Sequence, residues 1–399
     1  MSTMTPISSL KSFLITARKA LLSPPSSGTK PLTFVIGNES ADLDSLCSAI
    51  ALAYLRSHIP PHNKLHIPLA NLYRPDLVLR PEMGAVLKKA GVEFDDLLTL
   101  TEFDQVEDLE PQDTRWVLVD HNALTGSLRD RFGDRVVGCV DHHDDEGVVP
   151  LETGDEPRIV QKCGSCMTLV AKSGGDVWRT MADQMQRDQV AQLAHLVLGP
   201  ILIDTTNLTS KDKTTPTDVR AVESVEGVLK ELGVRYDRDA YHKELSLLKE
   251  DLSSLSYRDI FRKDYKSWKE GGFKLGTSSV SQGLHYLLER IGEKDKLLTE
   301  LKKWADEQEL DIVTIFTTLH PQGGFARELM VWALNDKAVK VVKDFVKSNS
   351  ETLGLETWED GQLDDTSSAS QWRACWRQLR TEHSRKQTAP MLREAMKRA

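Results

Sequence analysis

Long apolar segments are absent from this 399-residue chain, and no run approaches the roughly 18 apolar residues that a transmembrane helix needs. Cysteine is scarce, with five residues, an odd number that argues against a disulfide scaffold. The sequence therefore predicts a soluble protein of a reducing compartment, with the cytoplasm as the expected location and no membrane partner.

One cysteine pair, Cys163 and Cys166, forms a CxxC motif. No second pair is present to complete a zinc site with four thiolates. We interpret the motif as a tight loop in which Ser165 caps a helix that starts near Met167, with a redox or metal role as the alternative.

An excess of basic residues is also missing. The chain has 51 Lys and Arg against 60 Asp and Glu, which gives a formal net charge of −9. A nucleic-acid binder neutralises phosphates with Lys and Arg, and single-strand binders interleave aromatic residues with a basic groove. We therefore expect no nucleic-acid partner, although a local basic pocket for a polyanionic substrate is compatible with an acidic chain.

Acidic residues are absent from the first 38 positions, which do contain four basic residues. In this segment five apolar residues fall on one helical face: Leu10, Phe13, Leu14, Ala17 and Leu21. Residues 1–30 therefore resemble a mitochondrial transit peptide, which would place the protein in the matrix, or a helix that docks on the following domain. We favour the docking helix, because a strand and a polar loop follow almost immediately.

The length exceeds one ordinary core and predicts two domains, residues 1–238 and 239–399. The first begins with a buried strand at 31–36, a polar loop and a helix at 45–57, which is the start of an α/β unit. The second is expected to be a smaller α/β domain, with strands near 275–280 and 311–319.

Apolar segments of the first domain end repeatedly in acidic or histidine-bearing loops. After the strand at 31–36, the further segments are 116–119, 135–140 and 193–203. Ligands bind outside the carboxyl ends of the strands in an open parallel sheet. If all four segments are strands, their ends converge on one site.

The side chains that follow these segments suit a divalent metal site. The candidate ligands are Asp42, Asp44, Asp120, His142 and Asp204. Four carboxylates with one imidazole fit Mn²⁺, Mg²⁺ or Co²⁺ better than structural zinc. Two ions roughly 3.5–4 Å apart would activate a water and stabilise charge on a phosphoryl group. Taken singly, each aspartate fits a helix N-cap better, so the prediction rests on their recurrence.

Further residues are candidates for contact with phosphate. Adjacent side chains on an extended segment point in opposite directions, so His143 is expected to contact substrate while His142 binds metal. The alternative for His143 is a supporting hydrogen bond, and Asp141 is expected to orient the histidines. Arg385 and Lys386 offer cations for a polyphosphate, with plain surface charge as the alternative.

These motifs in combination resemble the DHH phosphoesterase superfamily. The matching segments are GNESADLDS (37–45), VLVDHNAL (117–124), CVDHHDD (139–145), ILIDTTNL (201–208) and SRKQTAP (384–390). The last segment, together with the triplet DYK at 264–266, is similar to the second domain of the DHHA2 subgroup. That subgroup includes family II inorganic pyrophosphatases, prune-type phosphodiesterases and fungal exopolyphosphatases. The resemblance implies a parallel-sheet DHH domain and an α/β DHHA2 domain with the active site in the cleft between them.

Carried over position by position, the resemblance implies a role for each candidate. One metal is held by Asp42 and Asp120, and a second by Asp44, Asp120, His142 and Asp204. Asp120 bridges the two divalent cations and is catalytic together with His143. The expected substrate contacts are His143, Lys266, Arg385 and Lys386, and domain closure would bring the last two over the substrate.

Asn38 departs from the pyrophosphatase pattern, which has histidine at this position. An amide oxygen is a weaker ligand than an imidazole, so the first metal site should be looser and should favour hard ions such as Mg²⁺. The loop and the chain length are most similar to fungal exopolyphosphatase. We therefore expect a monomer that releases orthophosphate from inorganic polyphosphate.

Three other functions are weighed against this one. A pyrophosphatase, or a prune-like hydrolase of cyclic nucleotides or short polyphosphates, would use the same metals. A catalytically inactive scaffold would have no need of the acidic ligands, all of which are present. A DHH nuclease is disfavoured by the acidic composition and the DHHA2-like tail.

Overall fold

The computed structural model describes residues 7–22, 31–58, 64–172, 177–320, 324–368 and 370–399. The chain divides into two compact units, Met1–Lys249 and Glu250–Ala399. Within the described residues, no helix is both long and apolar enough to cross a membrane.

The first unit is built on a parallel sheet, as the sequence predicted. Its strands are β1 (Leu32–Ile36), β2 (His66–Leu69), β3 (Thr114–Val119), β4 (Val136–Asp141) and β5 (Arg158–Val160). They lie in the order β2-β1-β3-β4-β5, and all the pairings are parallel. The central strands are almost continuously apolar because helices cover both faces of such a sheet.

The helices of the first unit surround this sheet. They are α1 (Leu10–Leu22), α2 (Leu43–His58), α3 (Pro81–Lys89), α4 (Leu100–Phe103), α5 (Gly126–Phe132), α6 (Cys166–Lys172), α7 (Val177–Gln184), α8 (Arg187–Asp204), α9 (Pro216–Glu231) and α10 (Arg238–Glu250).

The apolar run at 193–203 is helical, so the expectation that it forms a fourth strand is wrong. It lies within α8, which has ten buried residues and contains Pro200 in its interior. A helix that packs against α2, α6 and α9 is apolar on most of its circumference, and its sequence then resembles a buried strand. Asp204 therefore ends a helix and not a strand.

The N-terminal segment docks on the first unit through α1. The five residues predicted to share one face, Leu10, Phe13, Leu14, Ala17 and Leu21, are all buried. Phe13 packs edge-on against Tyr54 of α2 with ring centroids 5.4 Å apart, and the Tyr54 hydroxyl donates to the Ser8 carbonyl at 2.6 Å. The docking interpretation is thus supported for residues 7–22, while residues 1–6 and 23–30 lie outside the described part of the chain.

The second unit contains a mixed sheet covered by helices. Its strands are β6 (Tyr265–Glu270), β7 (Phe273–Val280), β8 (Ile312–Thr317), β9 (Glu328–Ala333), β10 (Leu355–Thr357) and β11 (Trp372–Gln378), in the order β10-β11-β9-β8-β7-β6. Only the pair β7 and β8 is parallel among these described strands. The helices are α11 (Tyr257–Lys263), α12 (Leu284–Ile291), α13 (Lys294–Glu307), α14 (Asp336–Leu353) and α15 (Arg385–Arg398).

The boundary between the units falls at the end of α10, whereas the sequence interpretation had put it near the start of this helix, between residues 238 and 239. Tyr241 and Leu245 of α10 are buried in the core of the first unit. The Tyr241 hydroxyl also donates to the carbonyl of His195 in α8 at 2.9 Å. These contacts make α10 part of the first unit.

Candidate metal centre and phosphate contacts

The predicted ligand loops meet at one edge of the first sheet. The loop after β1 carries Asn38 and Asp42, Asp120 directly follows β3, and His142 directly follows β4. The chain leaves β1 toward β2 on one side, while β3 lies on the other side. The crevice between β1 and β3 is therefore the topological switch point at which open α/β sheets bind ligands.

Asp120 lies at the centre of this crevice in a strained conformation. Its φ is +61°, in the left-handed region that side chains other than glycine seldom adopt. The Ser45 hydroxyl donates to Oδ2 at 2.6 Å and the Asn38 amide donates to Oδ2 at 2.8 Å. With Oδ2 occupied, Oδ1 faces the Nε2 atom of His142 at 3.1 Å.

His142 presents Nε2 to the carboxylates because its other nitrogen is engaged. Nδ1 lies 3.0 Å from the Cys163 carbonyl, which can only accept, so Nδ1 carries a proton and Nε2 is left to face Asp120. Burial alone would lower the pKa of His142, but the hydrogen bond to Asp120 and the charge of Asp44 raise it to about 12. The crevice therefore favours a positive charge at the position of Nε2.

His143 lies beside His142, and the expectation that the two side chains point in opposite directions is wrong. Their ring centroids are 4.4 Å apart, because the residues follow the end of β4 in irregular backbone. His143 Nδ1 is 2.8 Å from Asp141 Oδ1, and the side chain is 42% exposed. Nδ1 makes the supporting hydrogen bond considered as the alternative for His143, and the phosphate contact through Nε2 stays a prediction.

Asp141 is a buried carboxylate that supports only one of the two histidines. Its Oδ1 accepts from the His143 backbone N–H and ring, and its Oδ2 accepts from the Asn122 amide at 2.6 Å. Burial would raise the pKa of Asp141, but these hydrogen bonds lower it overall. His142 is oriented by the Cys163 carbonyl instead, and this contact with a backbone atom could not be predicted from residue types.

Asp44 is fixed by the N-terminus of α6. The donors to its carboxylate are the backbone N–H groups of Cys166 (2.6 Å) and Met167 (2.9 Å) and the hydroxyls of Ser165 (2.8 Å) and Ser48 (3.1 Å). The carboxylate of Asp44 therefore accepts from the N–H groups at the start of α6, the role predicted for Ser165. Ser165 itself donates its hydroxyl to Asp44. Oδ2 receives one of these bonds and lies 4.0 Å from His142 Nε2.

Asp204 reaches the same region from the end of α8. Burial, followed by the charge of Asp44, raises the pKa of Asp204 to about 7. Beyond Thr205, the three consecutive residues Thr206 to Leu208 have positive φ values of 51°, 54° and 64°. Such a strained turn is maintained only where the surrounding structure requires it.

The carboxylates repel one another. Burial and the neighbouring Asp120 raise the pKa of Asp44 to about 7, and burial raises that of Asp120 as well. Within the described residues, one group of Asp, Glu, His and Cys side chains brings its ligand atoms within 4.8 Å of one another, namely Asp120, His142 and His143. Oxygen donors with imidazole fit a hard or borderline divalent cation, whose charge would relieve this repulsion.

Asp42 and Asn38 have hydrogen bonds that bear on their predicted roles as ligands. Asp42 Oδ1 accepts from the Ser45 backbone N–H at 3.0 Å, which is the N-cap contact considered as the alternative, and Oδ2 is not used in that bond. Asn38 Oδ1 accepts from the Ser40 backbone N–H, so its amide nitrogen faces Asp120. In this arrangement Asn38 is a donor to Asp120, and coordination of a metal by Asn38 would require its side chain to rotate.

Three residues that the sequence did not single out shape the loop after β1. The buried Arg80 guanidinium donates to the carbonyls of Ser40 and Ala41, and the Asn71 amide donates to the Gly37 carbonyl at 2.9 Å. A Cβ atom on Gly37 would lie 2.6 Å from the Cβ of Ser45. Arg80 and Asn71 act through backbone carbonyls, and Gly37 through close packing. Neither kind of contact produces a recognisable pattern in the sequence.

The predicted phosphate contacts of the second unit lie together at one end of its sheet. The Arg385 guanidinium donates to the Asp264 carbonyl and carboxylate, both at 2.8 Å. Lys266 is two residues further along in β6, and Lys386 follows Arg385 in the first turn of α15. Two motifs far apart in sequence are thus joined by a bidentate contact.

Comparison with known proteins gives matches over both units. Residues 33–201 match the DHH family, N-terminal domain, and residues 243–395 match the DHHA2 domain. A Schizosaccharomyces pombe protein named "Putative exopolyphosphatase" is 33% identical over 387 residues, which cover 95% of each chain. The human protein named Exopolyphosphatase PRUNE1 is 28% identical over 379 residues, which cover 92% of this chain and 76% of that protein.

A solved structure supports the fold. The crystal structure of a Methanococcus jannaschii "putative family II inorganic pyrophosphatase" superposes with a TM-score of 0.54 at 20% identity, over 92% of this chain and 99% of the other. At that identity the likeness concerns the fold alone. Together with the two domain matches and the extended similarity to the fission yeast protein, it shows that this chain belongs to the DHH family and carries a DHHA2 second domain.

Proposed function

We propose that the protein is a metal-dependent exopolyphosphatase that releases the terminal orthophosphate of linear inorganic polyphosphate. The broader statement, a DHH-family hydrolase of phosphoanhydride bonds, follows from its relatives. The observation that carries the proposal is the convergence of Asp120, His142 and His143 at the switch point of a parallel sheet. Two relatives with exopolyphosphatase in their names support the choice of substrate.

Two divalent cations, Mg²⁺ or Mn²⁺ and with Co²⁺ as a further candidate, fit the donor set. The residues proposed to hold them are Asp42, Asp44, Asp120, His142 and Asp204, with Asn38 as a sixth candidate. When bound, such ions polarise a phosphoryl oxygen and lower the pKa of a water. Asp120 Oδ1 lies 3.1 Å from His142 Nε2, so these two atoms could serve the same ion, and we retain Asp120 as the ligand proposed to be shared by both ions.

His143 is proposed to contact the phosphoryl group that is transferred. Asp141 holds Nδ1, so the ring has a fixed orientation and Nε2 is available toward the substrate. A protonated histidine held in this way donates a hydrogen bond from Nε2 to a phosphate oxygen as negative charge develops on that oxygen.

Lys266, Arg385 and Lys386 are proposed to bind further phosphates of the chain. The contact with Asp264 holds the Arg385 guanidinium in one orientation, and its remaining N–H groups can donate to phosphate oxygens. Lys386 lies in the first turn of α15, where backbone N–H groups also favour an anion.

Activity against chains of graded length tests this proposal. The purified protein would be assayed with pyrophosphate, tripolyphosphate and long-chain polyphosphate, in Mg²⁺ and in Mn²⁺. We expect release of orthophosphate from tripolyphosphate and longer chains to be faster than pyrophosphate cleavage. Pyrophosphate cleaved far faster than longer chains would show instead a pyrophosphatase.

An Asp120→Ala variant separates an enzyme from a scaffold that only keeps the fold. Loss of the central carboxylate should remove nearly all turnover, whereas Asp108→Ala at an exposed position should retain it. Full activity in Asp120→Ala would refute the proposed site.

A further inference from the structure

The strand directions of the second unit bring several segments to one edge of its sheet. The strands β7, β8 and β11 end there, while β6 and β9 begin there. After β11, the chain continues to Arg385, whose guanidinium binds Asp264 just before β6. The loop 379–384 therefore runs along this edge, which already carries Lys266, Arg385 and Lys386.

Arg327 lies on the same edge, immediately before β9. Its Nε donates to the Thr381 carbonyl at 2.7 Å, and Nη1 reaches the Thr318 hydroxyl at 3.5 Å, the limit for a hydrogen bond. Its guanidinium carbon is 4.7 Å from the centre of the Phe325 ring. Nη2 makes no hydrogen bond to any described residue, so it and Nη1 can both donate to an oxyanion.

The Arg327 guanidinium is half-buried, and no described carboxylate forms an ion pair with it. Burial is the cause that lowers its pKa, with no acidic neighbour opposing the effect. Residues 321–323, which precede it and lie outside the described residues, are Pro-Gln-Gly and carry no acid. Some arginines of this unit form ion pairs, such as Arg393 with Glu270 and Arg398 with Asp344, whereas Arg290 and Arg373 bond to backbone carbonyls, as Arg327 does.

A buried cation without an anion is unfavourable, because desolvation disfavours its charge and neutral acceptors compensate only in part. The aromatic contact with Phe325 offsets part of this penalty. The arrangement suits an anion that comes from solution.

We propose that Arg327 is a distal phosphate subsite, which binds phosphates of a polyphosphate chain remote from the one that is released. This inference rests on the proposed function. Three strand spacings separate β9 from β6, a distance of about 14 Å along the edge. A pyrophosphate held by Lys266 and Arg385 near β6 is too short to reach Arg327. A long polyphosphate chain can extend along the edge of the sheet to Arg327. Arg327 then contributes to chain-length preference and not to the hydrolytic step.

The test compares wild type, Arg327→Gln and Arg327→Lys on tripolyphosphate and on long-chain polyphosphate at fixed ionic strength. For Arg327→Gln we expect KM for long chains to rise about tenfold, the loss of one charge-assisted hydrogen bond, with kcat nearly unchanged. KM for tripolyphosphate should stay within about twofold of the wild-type value, because this shorter substrate makes no hydrogen bond to Arg327. Arg327→Lys should fall between wild type and Arg327→Gln, since it keeps the charge but loses the planar fork.

Arg290→Gln provides a matched control, because Arg290 also anchors a loop of this unit through backbone carbonyls. It should not change the ratio of the two KM values. An equal loss on both substrates in Arg327→Gln, or no change on long chains, would overturn the subsite. If Arg327→Gln fails to fold, the ratio of KM for long chains to KM for tripolyphosphate in Arg327→Lys is compared with the wild-type ratio instead.

The inference and the proposed function can fail separately. If the wild type cleaves pyrophosphate but not polyphosphate, the proposed function is wrong. Long-chain polyphosphate would then be tested as an inhibitor of pyrophosphate cleavage. Equal inhibition of wild type and Arg327→Gln would exclude the subsite, and weaker inhibition of the variant would support it.

Discussion

Asp204, which is proposed as a metal ligand, destabilises the metal-free fold at neutral pH. Its pKa rises from 3.8 to about 7 because of burial and the charge of Asp44. A folded-state pKa above the unfolded value means that the folded protein holds the proton more tightly. The stability of the metal-free protein should therefore fall as pH rises from 3.8 to about 7, and Asp44 acts in the same direction.

Asp204→Asn should consequently raise the unfolding temperature of the metal-free protein at neutral pH and have little effect near pH 3.8. The same substitution should abolish activity and reduce the stabilisation that Mn²⁺ gives to the wild type. Thermal unfolding in chelator and in Mn²⁺ measures both effects, with the exposed Asp212→Asn as the control. A variant less stable in chelator, with the full response to Mn²⁺, would contradict this account.

The sequence identified candidate ligands more readily than the residues that hold them in place. Asp120 and His142 were found because acidic or histidine residues directly follow strands, which is a pattern of residue types. The helical position of Asp204 was missed, since a helix buried on most sides has the same apolar composition as a strand. Contacts to backbone atoms, such as those of Arg80 and of the Cys163 carbonyl, depend on tertiary structure and leave no local signal.

Among the secondary-structure elements, α1 tests the interpretation of the N-terminus. Leu14 is 2% exposed, whereas its neighbour Ile15 is 42% exposed on the same helix. Leu14→Ala should lower the free energy of unfolding by about 3 kcal/mol because it leaves a cavity. Ile15→Ala should change it by less than about 0.5 kcal/mol. Urea unfolding measures both, and an equal effect of the two substitutions would show that α1 is not docked.

The turn before α6 is a second element whose packing can be tested. A Cβ atom on Gly164 would lie 2.5 Å from the Thr205 side chain and 3.1 Å from Asp218 Oδ2. Gly164→Ala should therefore separate this turn from the end of α8, lowering both stability and activity. Gly227 in α9 has open space around its Cβ position, so Gly227→Ala should stabilise the protein by up to about 1 kcal/mol. Thermal unfolding and turnover of both variants give the comparison, and the opposite order would refute it.

For the whole molecule, the position of the boundary between units decides which fragments fold. The second unit has its own sheet and its own buried core, so residues 250–399 should fold when produced alone. The longer fragment 239–399 would carry α10 without the core that buries Tyr241 and Leu245, and should aggregate more readily. Circular dichroism and size-exclusion chromatography of the two fragments test this, and a 239–399 fragment that is more soluble and better folded would favour the boundary predicted from the sequence.

The fold as a whole was predictable as two α/β units, because the strand-loop-helix order at 31–57 and the strands at 116–119 and 135–140 carry clear signals. The short strand β2 was not predicted, since four residues at His66–Leu69 give little periodicity. The strand order and the mixed strand directions of the second sheet also could not be predicted from the sequence. Its neighbours β9 and β11 are separated by a long helix and a polar segment, and pairing over such distances depends on packing.

The hydrogen bonds to the Asp44 carboxylate have a consequence for how the protein would acquire its ions. Four donors of the folded chain already hold this carboxylate, and none of them depends on a metal. For the proposed enzyme, ion loading then follows folding and does not drive it. The metal content of a preparation would reflect the ions supplied during growth and purification, and a chelator-stripped sample could be recharged with a different ion without being refolded.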